Sequence, residues 1–323
     1  MKSIKHVASA PAKVILFGEH FVVYGAPAIL AAINRRTTAT ARIRADDKIV
    51  IRSDIGTSAE YSRTNVGKRD TTPNEILEPI HDAVKRVLDA SDKSSGVELD
   101  LQSEIPYGIG LGSSAASCVS AIAAVDSLFA SHQKKWVCER AIESERMIHK
   151  NSSGADCYIS TFGGIMRYSK DVGYKGLEVA RNLNLVVSST GIRHSTGDLV
   201  ERVRKFREAG LLNFSELAKQ ASEICGKAEQ SIRSGNLDNL GRLMTENQVL
   251  LKSIGVSHRK AEELIELSMK AGALGAKITG AGGGGAVIAL ARSRGDGARI
   301  ASLISNAGYE SLQAQVDHKG LIR

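Results

Sequence analysis

The chain has 323 residues, room for two domains at roughly 150 residues each, and its apolar fraction of 42% supports a real core. Its net charge of +8 is spread along the chain and mixed with acids, as in KFRE and RKAEE, and only 4% of residues are aromatic. This disfavours a nucleic-acid stripe or a stacking platform for single strands, and it fits anionic small ligands. No apolar run approaches the ~18 residues of a membrane span, and the opening MKSIKHVASAPAK lacks the apolar core of a signal peptide. Cys118, Cys138, Cys157 and Cys225 show no C-x-x-C spacing. They read as reduced, buried thiols of a cytoplasmic protein, and a zinc site is not expected.

In chain order, residues 5–10 and 13–16 alternate as a strand does. Lys13 lies in the apolar run of PAKVILFGEHFVVYG, residues 11–25. Burying it is costly unless it meets an anion; snorkelling to the surface is the alternative. Glu19 and His20 follow Gly18 as a polar corner, equally readable as a solvated turn. Residues 36–52 form a hairpin candidate with Asp46-Asp47 near its turn, and 54–73, polar and rich in Gly, Ser and Thr, are expected to be loop. Pro73-Asn74 opens a helix with apolar positions at 76, 77, 80, 84, 87 and 88.

A strand at 96–102 leads into IPYGIGLGSSAAS, the most informative segment. Gly108, Gly110 and Gly112 alternate, Ser113 and Ser114 follow, and an Ala-rich helix then runs to about 131. Alternating glycines let several N–H groups turn toward one point, and the helix start adds its own free N–H groups and positive dipole end. The result is a phosphate cradle with two hydroxyls at its lip; a tight strand-to-helix turn is the plainer alternative. A P-loop would need a Lys before the hydroxyl, and the dinucleotide fingerprint would need Gly where Ser113 stands.

A helix at 136–149 carries Glu145 and His149 at i,i+4, either an exposed pair or, for Glu145, a carboxylate available to Mg²⁺. Asn151 to Gly154 end that helix, and Asp156 lies just past the turn, a place where aspartate ordinarily caps. Strands are expected at 158–168 around Gly163-Gly164. The run 182–190 begins a second domain, followed by helices at 195–208, 214–234, 236–251 and 258–272. Next come the glycine run Lys277–Gly285, a helix at 293–307 and a strand near 311–316. Gly280, Gly282 and Gly285 match G-x-G-x-x-G, but the strand-like AVIALA after them denies the required helix. The run reads as a hairpin whose successive glycines suit close backbone approach to a ligand.

Together PAKVILFGEHFVVYGAPAI, IPYGIGLGSSAAS and KITGAGGGGAVIAL resemble the three ordered motifs of the GHMP kinase superfamily. GEHFVVYG, ERMIHKNSSGADCYISTFGGIMRY and NQVLLKSIGVSH resemble its mevalonate kinase family in particular. The resemblance spans most of the chain. It implies an α+β fold of two domains: a ribosomal-protein-S5-like ATP-binding domain over 1–178 and a ferredoxin-like domain over 179–323. The cleft between them would hold ATP and mevalonate. It implies Asp156 as catalytic base with Lys13 as its partner. Gly108, Ile109, Gly110, Leu111, Gly112, Ser113, Ser114, Ala115 and Ala116 would surround the ATP phosphates, and Ser114 and Glu145 would ligate Mg²⁺. Glu19, His20, Thr196, Gly282 and Gly283 would lie near the substrate. The activity implied is phosphorylation of the primary hydroxyl of mevalonate, with phosphomevalonate kinase as the alternative. A homodimer is compatible with the resemblance, which does not set the oligomeric state. Two departures stand out. Relatives often carry Arg directly before Ser-Thr, where this chain has His194 with Arg193 one step earlier. Cys157 replaces the usual Asn after the aspartate.

Overall fold

The computed structural model describes residues 5–62, 76–91, 94–148, 153–192, 196–208, 210 and 213–323. The first part contains β1 (Lys5–Phe17), β2 (Ala28–Arg44), β3 (Lys48–Ser53), β4 (Thr57–Ser62), α1 (Glu78–Ala90), β5 (Gly96–Ser103), α2 (Ser113–Asp126), α3 (Lys134–Ile148), α4 (Ala155–Phe162), β6 (Ile165–Ser169) and β7 (Gly173–Leu177). The second contains β8 (Asn184–Ser189), α5 (Thr196–Glu208), α6 (Phe214–Ser234), α7 (Leu237–Ser253), α8 (Arg259–Lys270), β9 (Gly275–Thr279), β10 (Ala286–Ala291), α9 (Arg294–Asn306) and β11 (Ser311–Gln315).

β2 organises the first sheet. One of its edges pairs with β1 along nearly the whole strand; the other is shared by β5 near its C-terminal end and β6 near its start. The path through the sheet runs β4-β3-β5-β2-β6-β7. The second sheet runs β11-β8-β10-β9, all antiparallel. With helices after its first and third strands, that order is the ferredoxin-like β-α-β-β-α-β arrangement. The fold is α+β, as expected.

α2 is buried on all sides from Ala115 to Asp126, between β1 and β2 on one hand and α1, α3 and α4 on the other. Its Ala and small residues allow that close approach, and a helix apolar all round belongs in a core. After β11 the chain returns to the first sheet. Ile322 and Ser9 exchange backbone hydrogen bonds of 2.8 and 2.9 Å. The guanidinium of Arg36 gathers Asp317, the Ser9 carbonyl (2.7 Å) and the Gly320 carbonyl (2.6 Å).

Several local expectations change. The 36–52 hairpin is opened: β5 lies between β2 and β3, parallel to β3. Gly96 makes the wedge possible, because a Cβ there would stand 2.1 Å from the Lys48 carbonyl oxygen. Part of the expected loop is β4, paired with β3; residues 63–75 lie outside the described residues. The strand expected from 158 is α4 instead, with β6 following Gly163-Gly164. Ala155 and Ile159, one helical turn apart, pack with Leu30 and Met166, and that tertiary contact overrides the β preference of Tyr158, Ile159 and Thr161.

α7 sits directly on β9 through glycines: a Cβ on Gly275 would be 2.0 Å from the Gly241 carbonyl oxygen. Gly226, on the exposed side of α6, faces nothing within 4 Å among the described residues. Gly275→Ala is expected to destabilise by about 1–3 kcal/mol through overpacking, and Gly226→Ala to stabilise by about 0.5–1 kcal/mol. Urea unfolding reads both, and a Gly275→Ala protein as stable as its parent would refute the contact.

Candidate active site

The loop before α2 takes the shape the alternating glycines suggest. Gly108, Gly110 and Gly112 have φ of 78°, 86° and 73°, values that side-chain-bearing residues rarely adopt. Gly112 is the N-cap of α2 and offers no side chain to the first-turn N–H groups. These therefore face outward with the positive end of the helix. Among the described residues nothing lies within 4 Å of a Cβ placed on Gly110, so they leave space open over the middle of the loop.

A cavity of about 210 Å³ opens beside this helix start. Ser113, Ser114, Ser117 and Glu145 form its polar wall; Ile55, Leu77, Ile80, Ile105 and Tyr107 line the apolar side. The thiol of Cys157 donates to Glu145 Oε2 at 3.5 Å. Burial, reinforced by the Glu145 charge, pushes that thiol well above its ordinary range, so it remains a donor. Hydroxyl and carboxylate oxygens are donors of the kind Mg²⁺ takes alongside phosphate. Among the described residues no three His, Cys, Asp or Glu gather as a metal cluster.

Gly112 also borders Lys13 and Asp156. Lys13 Nζ lies 3.2 Å from Asp156 Oδ2, with the lysine side chain 7% and the aspartate 30% exposed. Lys13 is therefore buried against an anion, and the snorkelling alternative falls. Its backbone N–H reaches the Leu111 carbonyl at 2.9 Å, which ties β1 to the glycine loop. A Cβ on Gly112 would stand 2.8 Å from Lys13 Cγ and 3.6 Å from Asp156 Oδ2. Asp156 sits in the first turn of α4, entered through Gly154 at φ 77°. One end of α2 thus has the cavity on one side and the ion pair on the other.

The turn after β1 meets the β9–β10 hairpin. Glu19 and Lys277 form an ion pair whose side chains are both 0% exposed. Lys277 Nζ also donates to the Ile278 carbonyl at 2.6 Å. Burial pushes the Glu19 carboxyl up and the Lys277 ammonium down, and each opposes the shift of the other. Thr279 Oγ1 accepts from the Ile15 N–H (2.8 Å) and donates to the Ile15 carbonyl (3.0 Å). His20, held at φ 59°, hydrogen-bonds through Nε2 to the Ala281 carbonyl at 2.8 Å. Asn247 and Gln248 on α7 complete the junction: Oδ1 of the first accepts from Gly18, Oε1 of the second from Ile278. Among the described residues Glu19 Oε2 and Asn247 Nδ2 find no hydrogen-bond partner. Lys277, Thr279, Asn247 and Gln248 were given no role from sequence. The available signal was a lysine inside an apolar strand, the same signal that singled out Lys13.

The hairpin glycines divide in purpose. Gly280 faces the Gly110 carbonyl, with a would-be Cβ 3.6 Å away, so the two glycine loops converge. At Gly282 and Gly283 the missing side chain leaves room for protein: a Cβ would stand 2.3 Å from the Val256 carbonyl oxygen and 2.7 Å from Leu199 Cδ1. Close packing, not open space for a ligand, accounts for glycine at those two positions. Thr196 begins α5, and its side chain lies outside the described residues together with His149, Asn151, Ser152, Arg193 and His194.

The family model of the GHMP kinase N-terminal domain matches residues 78–164, and that of the GHMP kinase C-terminal domain matches 228–310. The two matches hold the cradle, Glu145 and Asp156 on one side and the glycine hairpin on the other. The chain belongs to the GHMP kinase family. Within that family it is 38% identical over 339 residues to a mevalonate kinase of Pyrococcus furiosus, covering 98% of both chains. It is also similar to the solved mevalonate kinase of Methanococcus jannaschii, with a TM-score of 0.86 and 25% identity over 98% of this chain and 100% of that one. The L. major mevalonate kinase in complex with R-mevalonate superposes with a TM-score of 0.82, at 28% identity over 98% of this chain and 97% of that one.

The junction has a pH signature. Burial holds the His20 imidazole below its ordinary value, outweighing the hydrogen bond to Ala281. As pH falls through about 6.5, the unfolded chain takes up this proton before the folded one. The stability contribution is whole above that pH and is lost below it. His20→Asn, a residue tolerant of positive φ, should show a shallower loss of melting temperature between pH 7.5 and 5.5 than the parent. Parallel slopes in thermal melts would show that His20 does not titrate on unfolding.

Proposed function

We propose that this chain transfers the γ-phosphoryl group of ATP to the primary C5 hydroxyl of mevalonate, releasing 5-phosphomevalonate and ADP. The observation that carries the reading is the Lys13–Asp156 pair at the foot of α2, where the phosphate cradle, the open space over Gly110 and the Ser114–Glu145 cavity meet. Likeness to mevalonate kinases over nearly the full chain supplies the substrate. The four buried, unpaired cysteines suit a reducing, cytoplasmic setting. We place the boundary between the ATP-binding and C-terminal domains near residue 178, between β7 and β8.

Phosphoryl transfer asks a protein for position and charge stabilisation more than for covalent chemistry. The N–H groups of the 108–116 segment hold the phosphates still. Ser114 and Glu145 would hold Mg²⁺, which when bound neutralises charge on the ATP phosphates. Asp156 accepts the proton of the C5 hydroxyl as its oxygen bonds to phosphorus and the bond to the ADP oxygen breaks. The Lys13 ammonium, in contact with Asp156, stabilises negative charge on both the carboxylate and the attacking oxygen. His20 and the Thr196 end of α5 shape the substrate end of the cleft. Glu19, fully buried, contributes by placing His20, and Gly282 and Gly283 contribute by letting the hairpin close on Val256 and Leu199.

A coupled ADP-release assay with mevalonate, phosphomevalonate, galactose and homoserine tests the substrate, and turnover only with mevalonate is expected. Asp156→Asn should fold normally, keep its affinity for an ATP analogue in calorimetry, and lose about 10²–10⁴-fold in kcat. A variant within tenfold of the parent would remove Asp156 from the mechanism. Separately, Glu145→Gln should raise the Mg²⁺ concentration needed for half-maximal ATP-analogue binding. An unchanged Mg²⁺ titration would take Glu145 out of the metal site.

A further inference from the structure

Asp156 rides on a helix of eight residues whose N-cap, Gly154, supplies no side-chain hydrogen bond. A helix that short is not stable by itself, so its first turn depends on contacts from outside. Locally, Ser153 Oγ accepts from the Ala155 N–H at 3.3 Å. Ala155 and Cys157 bury one side of the turn in the core, and the contact on its exposed side comes from Tyr174 on β7, at the edge of the first sheet. Its phenol donates to the Ser153 carbonyl. The same ring lies nearly parallel to Tyr158, 4.1 Å between centroids and 17° between planes. Ser153 precedes Asp156 by three residues and Tyr158 follows it by two. One side chain thus grips the first turn of α4 on both sides of the carboxylate.

Tyr174 is itself well anchored. It stands directly opposite Tyr168 in the β6–β7 register, with ring centroids 5.0 Å apart, a cross-strand aromatic pair. Tyr158 leans in turn on Phe162, 4.5 Å away at the end of α4. Burial holds the Tyr174 phenol well above its ordinary range, so it remains a donor across the working pH range. These four rings gather behind the proton acceptor in a chain with only seven tyrosines and six phenylalanines.

We infer that Tyr174 is a positioning residue for Asp156: it fixes the first turn of α4 through Ser153 and Tyr158 and so sets the carboxylate against Lys13 and the reacting hydroxyl. The inference rests on the reading of Asp156 as proton acceptor. Its contacts are with Ser153, Tyr158 and Tyr168, and it acts through Asp156, so its effect belongs in the chemical step. Misplacing a catalytic group by about 1 Å is enough to cost on the order of 10²-fold.

Tyr174→Phe keeps the ring stack and removes the hydrogen bond; Tyr174→Ala removes both. With mevalonate and ATP, the Phe variant should lose about tenfold in kcat with both KM values within twofold of the parent. The Ala variant should lose about 100-fold. The melting temperature of the Phe variant should stay within about 3 °C, as loss of one half-exposed hydrogen bond allows. A Phe variant with parental kcat overturns the inference, whether or not the Ala variant folds. So does one whose kcat, KM values and melting temperature all worsen together, since that is general damage. Asp156→Asn is measured alongside. If it is inactive while Tyr174→Phe is fully active, the positioning role alone fails. If it is active, the assignment of Asp156 as proton acceptor fails.

Discussion

The buried ion pair of Glu19 and Lys277 joins the turn after β1 to the second sheet, and the geometry of the site depends on it. Taking both charges out of water is expensive, and their attraction repays it only when further hydrogen bonds satisfy the pair. Lys277 has such a bond to the Ile278 carbonyl. Thr279 clasps the backbone of Ile15, His20 reaches Ala281, and Asn247 and Gln248 tie Gly18 and Ile278 to α7. Removing either partner would leave the other charge buried and unpaired, at a cost of about 3–5 kcal/mol. The distance between the first and third sequence motifs is therefore set by electrostatics in a dry interior, not by apolar packing alone.

From that junction the rest of the site follows by short steps. β1 carries Lys13 from the Glu19 turn to the foot of α2, where its backbone bonds to Leu111 and its ammonium meets Asp156. The hairpin carries Gly280 up to the carbonyl of Gly110. The glycines in these segments solve different problems. Gly110 leaves space open. Gly112 makes room for the lysine stem. Gly282 and Gly283 let the hairpin seat against Val256 and α5. Their shared positive φ says only that the backbone turns; what fills the vacated volume is decided by the neighbours.

The two ends of the chemistry are supported differently. The end proposed to hold the phosphates rests on α2, a helix buried on all sides from Ala115 to Asp126 and held by the core. The end proposed to accept the proton rests on α4, a short helix whose buried face packs on α2, α3 and β1 and whose exposed side meets a half-exposed aromatic cluster from the sheet edge.

Much of this was legible in the residue order. The alternating glycines before Ser113-Ser114, the apolar periods of α1 and α6 to α9, the glycine hairpin and the buried lysine in an apolar strand are local signals. They follow from φ preferences and side-chain periodicity within a few residues. The sequence by itself therefore determined the glycine loop and most helices, and its resemblance to the GHMP kinases singled out Lys13, Asp156, Ser114 and Glu145 as candidates. What only the tertiary structure decided are pairings between distant segments. β5 is inserted between β2 and β3, α4 forms where β-favouring residues predicted a strand, Glu19 meets Lys277, and Tyr174 reaches Ser153. Each of these depends on the volume, charge and hydrogen-bonding needs of a partner that folding brings into contact, and nothing in the neighbouring residues encodes which partner that is.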